Sequence, residues 1–157
     1  MNLLRVHLGR QELELWRDGV LLRSYPVSTA APGEQRDSGC TPRGRHRIRI
    51  RIGDGCPVNT VFVGRRPSGE IYTPELAESC PERDWILTRI LWLSGEESGR
   101  NRGSGCDTLK RYIYIHGTDR EDLIGQPVSH GCIRMKNHDV LELFDLVSNN
   151  DAVIIEE

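Results

Sequence analysis

No stretch of this 157-residue chain approaches the roughly 20 consecutive apolar residues that a membrane-spanning helix requires. The N-terminus, Met1 to Arg10, alternates apolar and polar residues and lacks the apolar core and small-residue cleavage site of a secretory leader. The expected setting is therefore the cytoplasm, with no membrane contact; a leader already removed would make it the periplasm. Charge of one sign is also missing. Lys and Arg number 21 against 23 Asp and Glu, a net charge of −2, so nothing draws the chain globally to nucleic acid or anionic lipid. The five cysteines (Cys40, Cys56, Cys80, Cys106 and Cys132) form an odd set without a C-x-x-C pair, unlike a zinc site or a disulfide framework. A reducing compartment, with one reactive thiol and four bystanders, fits that usage. Internal repeats and linkers are absent, so residues 1–157 are read as one domain long enough to bury a core.

What is present is mostly strand. Leu13–Arg17 and Val20–Tyr25 flank Asp18-Gly19, a strong hairpin signal, and Pro26 belongs at an edge or strand end. From Arg45 to Ile52 the alternation is strict: Ile48, Ile50 and Ile52 on one face, Arg45, Arg47, Arg49 and Arg51 on the other. That arginine face is either a solvated strand face or a surface for an anionic substrate. Val58–Val63 and Glu70–Thr73 read as a pair around Arg-Arg-Pro-Ser-Gly. Trp85–Leu93 is apolar on both faces and fits a buried strand or a short helix. Tyr112–Ile115 is a strand that delivers His116 at its end, and Ala152–Ile155 is a last strand. One helix is expected, capped by Asn137, with Val140, Leu143, Phe144 and Val147 on its buried face. It follows the cysteine loop directly. Ser94–Asp107, rich in glycine, is expected to be a mobile loop, either a rim over the site or plain surface; no Gly-Lys-Ser/Thr follows that would cradle phosphate.

The chemistry concentrates in His116 and the run Ser129-His130-Gly131-Cys132. A free thiol is mostly protonated at neutral pH, with a pKa of about 8.5, and an imidazole within reach can take its proton to make the attacking thiolate. Glycine at 131 leaves backbone N–H groups open to an oxyanion. His116 is the expected base, oriented by the turn Gly117-Thr118-Asp119; His130, two residues from Cys132, competes for that role. Arg134 is either a surface partner of Asp139 or a fork for a substrate carboxylate. A metal site built from His116, His130, Cys132 and His138 lacks ligand spacing, so no metal and no cofactor are expected.

Ile115-His116-Gly117-Thr118 together with Pro127-Val128-Ser129-His130-Gly131-Cys132-Ile133-Arg134-Met135 resembles the catalytic signature of the L,D-transpeptidase, or YkuD-like, family. Thr41-Pro42-Arg43-Gly44 is similar to that family's Thr-Pro-x-Gly turn, and Pro26-Val27-Ser28-Thr29 to the strand before it. The resemblance implies a mainly β fold, a curved sandwich or open barrel with one or two short helices. It implies Cys132 as nucleophile, His116 as base, the amides around Gly131 and Cys132 as oxyanion hole, and Ser129, His130, Arg134 and Gly117 against the substrate. It further implies action on peptidoglycan tetrapeptide stems or soluble muropeptides, through a thioester formed as D-alanine leaves, and acylation by carbapenems. Without a leader the expected role is an L,D-carboxypeptidase of murein recycling, with Arg134 on the D-alanine carboxylate and Arg102 or Arg111 as weaker candidates. The alternatives are a cross-linking or exchanging L,D-transpeptidase and a non-catalytic muropeptide-binding module.

Overall fold

Period-two alternation builds most of the architecture. Leu4 and Val6 of β1 (Asn2–His7), Leu13 and Leu15 of β2 (Glu12–Arg17), and Val153 and Ile155 of β10 (Ala152–Glu156) are all buried, while their neighbours are more open. A computed structural model describes residues 1–157 and shows a mainly β protein. β2 turns into β3 (Val20–Ser28) at Asp18-Gly19, both with positive φ, as a type I′ hairpin demands. Pro26 lies on β3 ahead of the two residues that pair with another strand, so no ladder donor is missed. The other strands are β4 (Gly44–Ile52), β5 (Thr60–Val63), β6 (Arg66–Ile71), β7 (Ile86–Gly95), β8 (Tyr114–Gly117) and β9 (Ile133–Met135). The sheet order β4-β10-β1-β2-β3-β9-β8-β7 closes on itself where β7 pairs back onto β4, giving the expected curved barrel. The β5–β6 hairpin extends from β7 beside this ring. No helix is long and apolar enough to cross a membrane.

A main core of 20 buried residues joins the strands to Val140, Leu143 and Phe144 of α2 (Asn137–Leu146). Two guanidinium groups grip the Phe144 ring, Arg51 at 4.0 Å and Arg89 at 5.2 Å from its centroid. Arg51 also donates to the Phe144 carbonyl at 2.6 Å, near the helix C-terminus, where a cation is favoured.

Several expectations shift. The β4 alternation holds only to Ile48; a bulge between Ile48 and Ile50 slips the register against β7. Ile50 is thereby left 40% exposed and Arg51 turns towards Phe144. Of Trp85–Leu93, Ile86 onwards resolves as strand, within β7. The turn of the β5–β6 hairpin is Gly64-Arg65, and α1 (Pro74–Ser79), capped by Thr73, occupies the chain just beyond it. Between Cys132 and α2 lies the unanticipated β9, whose three residues are too few to display a period. Asn137 is the first residue of α2 rather than its cap, and its buried side chain serves the site described below. The glycine-rich loop is not a lid. Fully buried Asn101 pins it to the start of β4 by donating to the Arg43 and Arg45 carbonyls at 3.0 and 3.1 Å.

His46 of β4 is buried between the Thr108 hydroxyl (2.9 Å) and the Gly44 carbonyl (3.0 Å), and burial holds its pKa down to about 4. The unfolded chain takes that proton near pH 6.5, so stability is complete above that pH and falls as pH drops towards 4. Between pH 7 and pH 5 the loss from this residue is about 2 kcal/mol. Urea unfolding at both pH values should show that loss in the parent protein and a smaller one in His46→Gln. An equal loss in the variant removes His46 as its source.

Candidate active site

β9 sits between β8, to which it runs parallel, and β3, to which it is antiparallel; Ile115 pairs with Ile133 and His116 with Arg134. Alternation then sorts the side chains. Ile113, Ile115, Ile133 and Met135 enter the main core, while Tyr114, His116, Cys132 and Arg134 line a cavity of about 290 Å³ outside it. Beneath that cavity Phe62, Ile90 and Tyr114 form a small apolar cluster on which Cys132 packs.

The loop that carries Cys132 is braced from several directions. The Thr41 hydroxyl donates to the Gly131 carbonyl and accepts the Ala30 N–H, both at 2.9 Å. The Ser129 N–H reaches the Thr29 carbonyl at 3.0 Å, and its hydroxyl donates to the Cys132 carbonyl at 2.7 Å. Gly131 adopts φ +122°, and a Cβ there would press on the Cys40 carbonyl oxygen at 3.1 Å and Ile113 Cδ1 at 3.2 Å. Only glycine fits. The Gly131 N–H is already engaged by the Ser129 hydroxyl at 3.3 Å, whereas the Cys132 N–H makes no hydrogen bond within the chain and is available to an oxyanion.

His116, the expected base, is held with equal care. His116 Nδ1 donates to the Gly117 carbonyl at 2.7 Å, which leaves Nε2 as the bare acceptor. A Cβ on Gly117 would fall 2.2 Å from Asn137 Oδ1, so this residue lets the start of α2 close against the strand end. Asn137 donates to the Thr118 carbonyl at 2.8 Å and accepts the Thr88 hydroxyl at 2.6 Å.

Of the residues singled out in the sequence, the fold gathers Cys132, His116, His130 and Arg134 around one cavity. Ser129 and Gly117, expected to touch substrate, fall outside its lining and act as braces. Arg102 lies on the pinned loop, away from the cavity. Arg111 donates to the Cys40 carbonyl at 2.6 Å and lines an adjoining cavity of about 430 Å³ that shares Tyr112 and His130. The sequence reading missed Arg65, Asp84 and Ile86, which arrive from the β5–β6 turn and the entry to β7. No local pattern marks Asp84. A wider groove of about 810 Å³ over Leu3, Trp16 and Ala152 holds no cysteine or histidine, and its one carboxylate, Asp18, is paired with the Met1 amino group.

Comparison with known proteins adds to this geometry. The family model of the L,D-transpeptidase catalytic domain, YkuD, matches residues 2–155. The chain is 52% identical over 46 residues to the YkuD protein of Bacillus licheniformis, covering 29% of this chain and 28% of that one. It is 28% identical over 121 residues to the YbiS protein of Escherichia coli, covering 68% of this chain and 37% of that one. In three dimensions it is similar to L,D-transpeptidase 3 from Mycobacterium tuberculosis in complex with a faropenem-derived adduct. The TM-score is 0.61 at 16% identity, over 99% of this chain and 60% of that chain, a likeness of fold. The chain thus matches less than two thirds of the length of each of these relatives.

Burial sets the resting protonation states. It pushes the Cys132 thiol up to about 11; the Tyr114 N–H, 3.4 Å from the sulfur, works against this, as do Arg134 and Arg111, while Asp84 adds to it. Burial also lowers the His116 pKa, against the pull of the Gly117 carbonyl and Asp84. Thiol and imidazole are therefore both neutral near pH 7, rather than an ion pair, and the thiol proton rests on the Tyr112 carbonyl at 3.4 Å. Site-resolved mass spectrometry with iodoacetamide should find Cys132 reacting more slowly at pH 7 than a free cysteine, with a rate still climbing past pH 9. A rate that levels off below pH 8 would reveal a preformed thiolate and refute the neutral pair.

Proposed function

The chain belongs to the L,D-transpeptidase catalytic domain family, and from that premise we propose that it is a cysteine-dependent L,D-carboxypeptidase that releases D-alanine from peptidoglycan tetrapeptide stems. The observation that carries this reading is the shared cavity of Cys132 and His116, with a bare Nε2 on the base and a free N–H on the nucleophile. The scissile carbonyl sits over Cys132 with its oxygen towards that N–H. As sulfur attacks, His116 Nε2 takes the thiol proton, and it returns that proton to the departing amine of D-alanine. Because proton transfer accompanies attack, the half-buried Cys132 need not be ionised beforehand. Water then adds to the thioester and gives a proton to His116; the C–S bond breaks, the tripeptide acid leaves, and the sulfur takes that proton back from His116 to restore the neutral pair.

Arg134 suits the carboxylate of the leaving D-alanine. It stands across the strand pair from His116, and its one ion pair, with Asp84, is 4.0 Å long to a side chain 71% exposed, a weak pair that a substrate carboxylate can displace. A cavity of about 290 Å³ suits the reacting end of a single stem, which supports water as the acceptor. A second reading, cross-linking or exchange, draws support from the adjoining cavity of about 430 Å³ beyond Tyr112 and His130, where an acceptor amine would find room.

Mass spectrometry after incubation with a soluble tetrapeptide muropeptide separates the two: tripeptide alone means hydrolysis, dimers or exchanged D-amino acids mean transfer. Cys132→Ala should leave a folded protein that releases no D-alanine, and continued release ends the mechanism. His116→Ala should slow release by about a hundredfold to ten-thousandfold, with a larger loss in His130→Ala pointing to the wrong base. A carbapenem should leave a covalent adduct on Cys132 and on no other cysteine.

A further inference from the structure

We propose that Arg65 determines specificity for the acyl half of the substrate by receiving a carboxylate on the segment that stays bound to Cys132. This assignment rests on the functional reading above and adds a residue to it. β8 and β9 run parallel, so Tyr114, then His116, stand in step with Cys132, then Arg134. The sulfur takes the Tyr114 N–H, and the Arg65 guanidinium donates to the Tyr114 hydroxyl at 3.2 Å. Arg65 and Arg134 thus flank the nucleophile from opposite ends of one cavity. His116 must protonate the leaving amine, which places the leaving group on the Arg134 side. The retained acyl segment extends towards Arg65.

Arg65 is built to be used. Its guanidinium lies over the rings of Trp92 and Tyr112, at 4.9 and 4.8 Å from their centroids, which fixes its position. None of the chain's ion pairs involves it, and the Tyr114 hydroxyl is its sole hydrogen-bond partner, so most of its five N–H donors stay open to an anion. Its backbone adds weight. Gly64 and Arg65 form the two-residue turn between β5 and β6 with φ of 57° and 64°, positions at which glycine and asparagine are favoured. Tyr112, against which Arg65 stacks, also has a left-handed φ, 58°. An arginine and a tyrosine held in strained conformations on the rim of a reactive cavity mark a functional wall.

The test pairs two stem peptides that differ at one group: a free side-chain carboxylate on the residue whose carbonyl is attacked, or the same group amidated. The parent protein should process the acid with the higher kcat/KM. Arg65→Ala should lower kcat/KM for the acid by about tenfold to hundredfold, leave the amide nearly unchanged, and so erase the preference. Arg65→Lys should restore part of it. Because the acid-to-amide ratio is measured within each variant, it is insensitive to partial unfolding from the lost stacking. A parent enzyme that forms the thioester yet treats acid and amide alike overturns the assignment, as does an Arg65→Ala variant that keeps the preference. Absence of any thioester on the parent Cys132 overturns the functional reading and this assignment with it.

Discussion

The parallel pairing of β8 with the three residues of β9 is the constraint on which the site depends. A strand's side chains alternate with period two, so a slip of one residue would turn Cys132 and Arg134 towards Ile115 and the core and push Ile133 and Met135 into the cavity. So short a strand cannot fix its own register. Its register is fixed by neighbours: β3 on the far edge, and Thr41, Thr29 and Ser129 on the loop before it. Apart from the local bond of the Ser129 hydroxyl, these contacts span long stretches of chain. Cys132 is therefore placed only once the whole ring has closed.

That placement has an electrostatic consequence. The low-dielectric surroundings that raise the thiol pKa also lower that of the imidazole, so burial alone works twice against an ion pair. Arg134 and Asp84 partly offset one another at both groups, since one is cationic and the other anionic on the same wall. The neutral resting pair leaves no persistent thiolate open to adventitious oxidation.

Legibility in the sequence followed the range of the interactions. The β2–β3 hairpin was readable because Asp18-Gly19 carries its own backbone instruction, and α2 because Val140, Leu143 and Phe144 recur at helical spacing. Cys132 and His116 were readable because their neighbours form a recognisable run. What stayed hidden was set by tertiary contacts: the bulge after Ile48 that turns Arg51 inwards, β9 itself, and Asp84 and Arg65 on the cavity wall. The glycine-rich segment misled for a related reason. Its glycines signalled freedom, but one buried asparagine, Asn101, removes that freedom by satisfying backbone carbonyls of β4. Asn137, read as a helix cap, has the same hidden character.

Strain around the site makes sense as part of this long-range design. Thr88 is β-branched yet holds φ 74°, a conformation that costs on the order of 1 kcal/mol or more. It lies at the irregularity where the pairing of β7 with β8 shifts between Leu87 and Ile90, opposite the His116 end of β8. That kink aims its hydroxyl at Asn137 Oδ1, and the Asn137 amide in turn ties down the Thr118 carbonyl. Gly117 is then enclosed between Asn137 and the Leu87 carbonyl, and its own carbonyl has one direction left, towards His116 Nδ1. The Gly117 carbonyl fixes the imidazole tautomer, and the chain of contacts from Thr88 through Asn137 braces the turn that carries that carbonyl. A relaxed backbone at Thr88 would be more stable locally and would lose that brace.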